Sequence, residues 1–503
     1  AMPALEDAEA KFAKGLHQEA LALYEAVLSS GPEADRPKAL WRACESEALL
    51  FRYGAAYERL RAAKLPGDGL WPARFLVLKA ELGREYLKQY GAGQPEDEEA
   101  GASDAFRLTE DQLRAEVDAA FFALWGRRDE LARAPVEDEA YTLEVDKSDR
   151  ARYPTLLDFA VLRWTEYLLE QKPHPEARRK PGAASFLKED YDGQVEREAP
   201  PAALAAAVLE NAAKLGGEGR AAAGEVWRVR RARIPFTAAE KTGPFDDHNK
   251  GVEAAAALLK RWWTVFHTPE GRAEAAVEAA ELLNALGRPH EAVKLCDEVA
   301  AGAPGTWGAE RCARLAAQIR LPELSLSARV VPPPGRGALT LGARNLDAVH
   351  LRLYPAKPEE IRALRERSGV EPWSNLLNVP TEELIKEFLR RRPLRSWTVA
   401  AVPASPHVHV STTADLPDAP PGLHLVVASG DAAFRPGASL LTAALVNVTD
   451  LVLFGNAGFQ GRERDFIERP GDPVKELAAP AFRFYLLDGR SGRPVRGASL
   501  DLR

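Results

Sequence analysis

The sequence predicts a multidomain chain that is α first and β second: an irregular helical solenoid over residues 1–320, followed by β-sandwich structure. Three observations predict it. Apolar residues recur at steps of three and four through the first 320 or so residues. At Leu321-Pro322 the pattern switches to short alternating runs separated by Pro- and Gly-rich turns. The 503 residues also exceed what one hydrophobic core serves, about 250–300.

In the first stretch, Ala8, Phe12, Leu16, Ala20, Leu21, Tyr24 and Leu28 form the stripes of two amphipathic helices that meet at Gly15. Glycine is expected in that tight turn because a Cβ would clash. Gly31-Pro32 then stops the second helix. The spacing A-x3-F-x2-G-x4-A-L-x2-Y resembles a tetratricopeptide repeat. A second such unit spans residues 273–303. Ala276, Ala279, Ala280, Leu283 and Leu286 make one stripe, Gly287 turns, and Ala292, Val293, Leu295, Cys296 and Val299 make the next. A third helix is expected from Trp307 to Arg320. Between these units the period is irregular, which fits an imperfect solenoid rather than a consensus array. Trp41, Trp164, Trp227, Trp262 and Trp263 fall on helical stripes and are expected to fill space between helices. Gly91–Ser103, acidic and glycine-rich, and Lys172–Gly182, with three prolines, read as connectors.

Beyond Leu321, strands are expected at Ser325–Val331, Ala338–Gly342, Val349–Tyr354, Ser396–Val402, Val408–Thr412, Gly422–Ala428, Leu440–Leu445, Asp450–Phe454, Ala481–Leu487 and Ala498–Leu502. Two helical pieces, Pro358–Arg367 and Thr381–Arg391, interrupt them. The expected division is a first sandwich over 323–431 with a helical insert at 358–391, then a partial second β domain over 440–503. A sandwich takes about seven strands and ~100 residues, so the second domain is expected to be cut short.

Composition narrows the function. A net charge of −7 argues against nucleic acid, which needs a clustered basic face, and the runs Arg228–Arg233 and Arg390–Arg395 are short. No run of about 18 apolar residues exists to span a membrane. The opening Ala1-Met2-Pro3 lacks a signal-peptide pattern and is read as a processed or cut start, which leaves the compartment open. Three cysteines are too few for a disulfide scaffold and lack the spacing of a zinc site.

Four stretches resemble the N-terminal part of large bacterial alpha-2-macroglobulin-like proteins. Arg152–Leu169 (RYPTLLDFAVLRWTEYLL) resembles a P-T-L-x-D-F signature of their helical region. Gly342–Tyr354 (GARNLDAVHLRLY) resembles an R-N…Y strand pair. Leu416–Ser429 (LPDAPPGLHLVVAS) resembles L-P-x-L-P-P-G-x-Y-x-L-x-x-S, with Ala419 for Leu and His424 for Tyr. Leu487–Leu502 (LDGRSGRPVRGASLDL) resembles D-x-x-T-G-x-P-V-x-G-A-x-V-x-L, with Ser491 for Thr. The resemblance implies immunoglobulin-like macroglobulin domains after the helical region. It implies protease trapping or inhibition and envelope defence as the role of a longer parent protein. Proteases or envelope proteins, and the remaining domains of the parent, are the implied partners. The implied location is periplasmic or extracellular, with or without an N-terminal anchor. The alternative is an independent helical-repeat module that binds peptides or proteins in a concave groove.

No G-x-S-x-G, phosphate-loop or dinucleotide fingerprint is present, so no enzyme, catalytic residue or cofactor is expected. Macroglobulins often carry a thioester between a Cys and a Gln three residues on. Cys296-Asp297-Glu298-Val299 has Val where Gln is needed. His407 and His409 stand at i and i+2 and read as solvent-facing residues of one strand. Zinc would need a third ligand, and none is near in sequence, so no metal site is expected. The turn Gly302–Thr306 lies almost midway between Cys296 and Cys312. If antiparallel helices flank it, these two reach the ~5.5–6 Å Cα separation of a disulfide, a candidate bond in an exported protein. Two buried free thiols are the alternative.

Overall fold

Helices form where the apolar stripes run, and three of the turns between them repeat one geometry. The structure is a computed structural model. It describes all residues except 1–4, 66, 68, 91–107, 144, 172–182, 217–218, 238–247, 329–336, 368–380, 458–481, 489–490, 492 and 498–503. The expected connectors at 91–103 and 172–182, and the strand at 498–502, lie outside the described residues. The chain divides into two units, Ala1–Ala316 and Ala317–Arg503.

The first unit is helical: α1 (Leu5–Ala13), α2 (His17–Ser30), α3 (Arg36–Leu49), α4 (Tyr53–Ala62), α5 (Trp71–Tyr90), α6 (Glu110–Gly126), α7 (Arg128–Leu131), α8 (Lys147–Arg152), α9 (Leu156–Glu170), α10 (Pro201–Lys214), α11 (Ala221–Thr237), α12 (His248–Val265), α13 (Pro269–Ala285) and α14 (Pro289–Gly302). The last helix before the strands, α15, runs over Trp307–Arg320. The turns α1–α2, α3–α4 and α13–α14 all close a Schellman motif. Its long hydrogen bond runs from Leu16 N to Lys11 O (3.1 Å), Arg52 N to Glu47 O (2.8 Å) and Arg288 N to Leu283 O (2.9 Å). The residue just before each donor is left-handed: Gly15 at φ 74°, Phe51 at φ 61° and Gly287 at φ 73°. A Cβ built on Gly15 or Gly287 meets nothing within 4 Å. Glycine therefore serves the positive φ, and not the steric clearance that the sequence suggested. Phe51 takes the same conformation at a cost of about 1–2 kcal/mol.

The five tryptophans assigned to the core from sequence are all buried. Trp41 packs with Tyr57, Phe75 and Leu113, which joins α3, α4, α5 and α6. Trp164 and Trp227 belong to a larger core built from α5, α6, α9, α10 and α11. Gly83 is the closest point of the first of these crossings. A Cβ there would stand 2.5 Å from Val117 Cγ2 and 3.0 Å from Tyr57 Cε2.

In the second unit, β1 (Glu323–Ala328), β2 (Ala338–Arg344) and β5 (Val410–Asp415) form one antiparallel sheet in the order β1-β2-β5. The other sheet has the order β4-β3-β6-β7, with β3 (Ala348–Pro355), β4 (Arg395–Ala400), β6 (Gly422–Ser429) and β7 (Leu441–Val448). The seven strands share one core. Leu339 and Leu341 of β2 face Leu351 and Leu353 of β3, Val426 of β6 and Val446 of β7, with Leu326 of β1, Trp397 of β4 and Ala414 of β5 around them. The alternate residues of β6, Leu425 and Val427, pack instead with Tyr354 against Ile361, Ile385 and Phe388 of the insert helices α16 (Pro358–Arg367) and α17 (Thr381–Leu389). Both faces of β6 are thus covered, which is why its sequence reads as a continuous apolar run.

One expected boundary moves. The strand at Leu440–Leu445, assigned to a second domain, falls in β7, and its register with β6 runs from Gly422↔Val448 to Ser429↔Leu441. The β4-β3-β6-β7 sheet, and the first sandwich with it, therefore continues past residue 431. Beyond it, β8 (Leu451–Ala457) and β9 (Phe482–Asp488) pair antiparallel with each other.

Replacing Gly83 by Ala favours the helix locally but overpacks the α5–α6 contact. Urea unfolding is expected to show a net loss of about 1–3 kcal/mol.

Candidate functional site

The P-T-L-x-D-F segment holds one of the fully buried charges of the helical unit. Thr155 is the N-cap of α9, extended at φ −124°, and closes a capping box with Asp158. Its Oγ1 accepts from Asp158 N (3.3 Å), and Asp158 Oδ2 accepts from Thr155 N (3.2 Å). Backbone bonds from Val136 N to Pro154 O and from Leu156 N to Ala134 O, both 2.9 Å, pin the segment before the helix.

Asp158 is completely buried, and its carboxylate is saturated. Oδ2 also accepts from Thr155 Oγ1 (2.6 Å) and Arg220 Nε (3.2 Å), while Oδ1 accepts from Arg220 Nη2 (2.6 Å) and Trp227 Nε1 (3.1 Å). Arg220, just ahead of α11, turns its remaining donors to the carbonyls of Leu215 and Ala212. Trp227 stacks on Tyr153 with ring centroids 5.0 Å apart. A buried charge survives only when paired and hydrogen-bonded, and this one has a two-pronged guanidinium plus three neutral donors. With no lone pair left over, Asp158 is an anchor and not a general base.

A second buried pair joins α8 to α13. Arg152 Nη2 lies 2.8 Å from Glu274 Oε1, and the Arg152 guanidinium stands 3.8 Å over the Trp307 ring. Burial is the largest influence on Glu274 and pushes its carboxyl above the usual range, against the pull of Arg152 and Arg230. Glu278 and Glu281 continue the stripe along α13 and meet Arg233 and Arg311.

Three surface concavities lie beside these groups. The first, about 500 Å³, is lined by Asp129, Arg133, Glu137, Pro154 and Thr155 among others. It shares Leu215 and Gly216 with a second of about 290 Å³, which reaches Arg220 and Arg228. That one shares Glu225 and Arg228 with a third of about 290 Å³, where Trp262, Val265 and Phe266 form an apolar wall. The Trp262 and Phe266 rings stack at 5.2 Å. The Glu225 carboxylate is already taken by His267 N (2.7 Å), Thr268 N (3.1 Å) and the Thr268 hydroxyl.

Cys296 and Cys312 are buried free thiols near enough for Cys296 to act on the Cys312 thiol. The Cys296 thiol first, and burial second, push the Cys312 thiol above its ordinary value. Burial pushes the Cys44 thiol up to about 12. Neither Cys44 nor Cys312 is a thiolate at neutral pH, so neither is an activated nucleophile. His407 and His409 precede β5 and do not share a strand face as expected. The chain turns there: His407 has φ 65°, and its Nδ1 lies 2.8 Å from the Asn345 Oδ1. Asn345, itself at φ 55°, donates from Nδ2 to the carbonyls of Ile319 (2.7 Å) and Leu321 (3.0 Å). Among the described residues, no group of three or more His, Cys, Asp or Glu is placed to hold a metal ion. No described helix is long and apolar enough to cross a membrane.

Sequence reasoning quoted Asp158 within its motif but missed its partners Arg220 and Trp227, and it missed Arg152 with Glu274. The available signal was a charged residue inside an apolar stripe, which announces a partner without naming it. No protein-family model matches this chain, and no curated protein or solved structure does.

Asp158→Ala strands the Arg220 guanidinium in the core. Chemical denaturation is expected to show a loss of about 3–5 kcal/mol. Changing Asp158 and Arg220 together to apolar residues should recover part of it.

His424 on β6 is buried, and its Nδ1–H donates to the Gly422 carbonyl at 2.9 Å. Burial holds this imidazole below its ordinary value, against the pull of that hydrogen bond. The unfolded chain therefore takes up a proton near pH ~6.5 that the folded chain refuses, and stability falls as pH drops through that range. His424→Tyr is expected to remove this component. The difference between the two proteins' thermal midpoints should narrow or invert between neutral and mildly acidic buffer.

Proposed function

We propose that this chain is a non-catalytic structural and interaction portion of a bacterial alpha-2-macroglobulin-like protein. In this reading, the two-sheet unit is an immunoglobulin-like macroglobulin domain. The repeated helix–turn–helix pairs form a tetratricopeptide-like solenoid that docks to the rest of the parent or to a protein partner. The parent acts by trapping or inhibiting proteases in the periplasm or outside the cell.

One observation carries this reading: the resembling segments coincide with the parts on which the fold turns. GARNLDAVHLRLY covers the end of β2, the Asn345 turn and all of β3 but its last residue. LPDAPPGLHLVVAS runs into β6, which pairs with β3. PTLLDF carries the Asp158 anchor. In the DGRSGRPV segment, Asp488 N bonds to Arg493 O (2.8 Å) and Val495 N to Leu486 O (2.9 Å), which folds the chain back onto β9. The line of three concavities supports a second reading, in which the helical unit holds an extended peptide.

Reading the coding sequence on both sides of this chain tests the first proposal. Further sandwich-type segments and a C-x-E-Q motif are expected, and a stop codon soon after Arg503 with neither would overturn it. Export adds a chemical check. Protein recovered from an oxidising compartment, denatured without reductant, is expected to titrate one thiol, because the adjacent Cys296 and Cys312 have joined. Three thiols would refute the bond.

A further inference from the structure

Antiparallel ladders bond alternate residues to each neighbour, so a strand at the rim of a sheet keeps every second N–H and C=O unpaired. In the sandwich, β1 closes against β7 at one side. That leaves β5 and β4, the outer strands of the two sheets, together at the other side. Among the described residues each pairs with one neighbour alone, β5 with β2 and β4 with β3. The bond from Ala401 N to Asp347 O sets the phase on β4. Trp397 and Val399 bond to β3, and Ser396, Thr398 and Ala400 turn their backbone groups outward. The bond from Leu416 N to Gly337 O does the same on β5. Thr412 and Ala414 bond to β2, and Ser411, Thr413 and Asp415 turn outward. Native edges are commonly guarded by proline, lysine or a covering segment. Neither of these strands contains proline or lysine, and the insert helices pack on Tyr354, β6 and β7 rather than on β4.

The two edges match in length, direction and charge. Each strand has six residues. The chain reverses between β2 and β3 through residues 345–347, and β5 and β4 run against those two strands in turn. β4 and β5 therefore run in opposite directions, and the start of β4 lies at the same end of the sandwich as the end of β5. Arg392 and Arg395 stand at the start of β4, and Asp415 and Asp418 at the end of β5. All four are exposed, and none has an ion pair among the described residues. The neighbouring Arg390 and Arg391 are already paired with Glu387 and Glu360.

We propose that two copies of this chain pair edge to edge about a twofold axis parallel to the strands, with β5 of each against β4 of the other. One such axis makes both pairings at once, so the contact closes at a dimer. Each three-stranded sheet is then continued by the four-stranded sheet of the second copy. The register that uses both strands fully sets Ser411, Thr413 and Asp415 opposite Ala400, Thr398 and Ser396 of the second copy. It joins the outward backbone groups, keeps the outer faces together and sets threonine against threonine. It also brings Asp415 and Asp418 alongside Arg395 and Arg392. A strand from another protein could occupy one edge. A second copy fills both, with the matching length, direction and charge. This inference is independent of the macroglobulin reading.

Sedimentation equilibrium on the full chain tests it. The wild type is expected to form a dimer and nothing larger. Thr398→Pro removes an outward N–H, and proline is tolerated where the N–H faces away from the ladder. Its circular dichroism should match the wild type while dimerisation weakens roughly tenfold or more. Asp415→Arg and Arg395→Asp should each weaken dimerisation, and the double variant, which exchanges the two charges, should recover most of the loss. The proposal falls if the wild type stays monomeric or grows beyond a dimer. It falls too if folded Thr398→Pro dimerises like the wild type, or if the double variant pairs no more tightly than the single ones. Should Thr398→Pro fail to fold, the charge exchange decides alone.

Discussion

The helical unit depends on one carboxylate. Asp158 begins α9, yet its partners come from Arg220, ahead of α11, and Trp227, within it, so a single buried group sets the distance between two helices 60 residues apart in sequence. An unpaired charge in that position would be intolerable, and no sliding of α11 along α9 keeps all five hydrogen bonds. The apolar core around it, with Trp164, Phe121 and Leu209, tolerates many small rearrangements. The polar centre selects one of them. Arg152 and Glu274 repeat the device where α8 meets α13.

The turns show the complementary economy. Three helix pairs are joined by the same backbone path, down to the extended-to-bridge conformations of Leu16, Arg52 and Arg288 that begin the next helix. A Schellman end satisfies two carbonyls and reverses the chain in the fewest residues, provided one residue accepts positive φ. Gly15 and Gly287 do so freely. Phe51 shows that the motif also forms at a residue that disfavours it, because packing of α3 against α4 outweighs the local strain.

In the β unit, pleating and coverage explain the sequence together. Strands covered on one face alternate, as in β1 with its regular run of exposed and half-buried residues. The insert helices α16 and α17 supply a second cover for β6, and there alternation disappears. The insert is therefore part of what keeps β6 buried on both faces.

Much of this was legible beforehand. The periodicity of apolar residues fixed where helices and strands form, because burial of one face is a local property of the pattern. Trp307–Arg320 and Pro358–Arg367 fall where that pattern places them. Glycines and prolines located the turns, although the reason at Gly15 is conformation and not clearance. The sequence could not show that β7 joins β6 in the first sandwich, because strand pairing is a choice among partners with similar patterns. Nor could it show that Asp158 meets Arg220 and Trp227, or that Phe51 is strained and exposed. These facts depend on which distant segments share a neighbourhood, and only the folded chain brings those segments together.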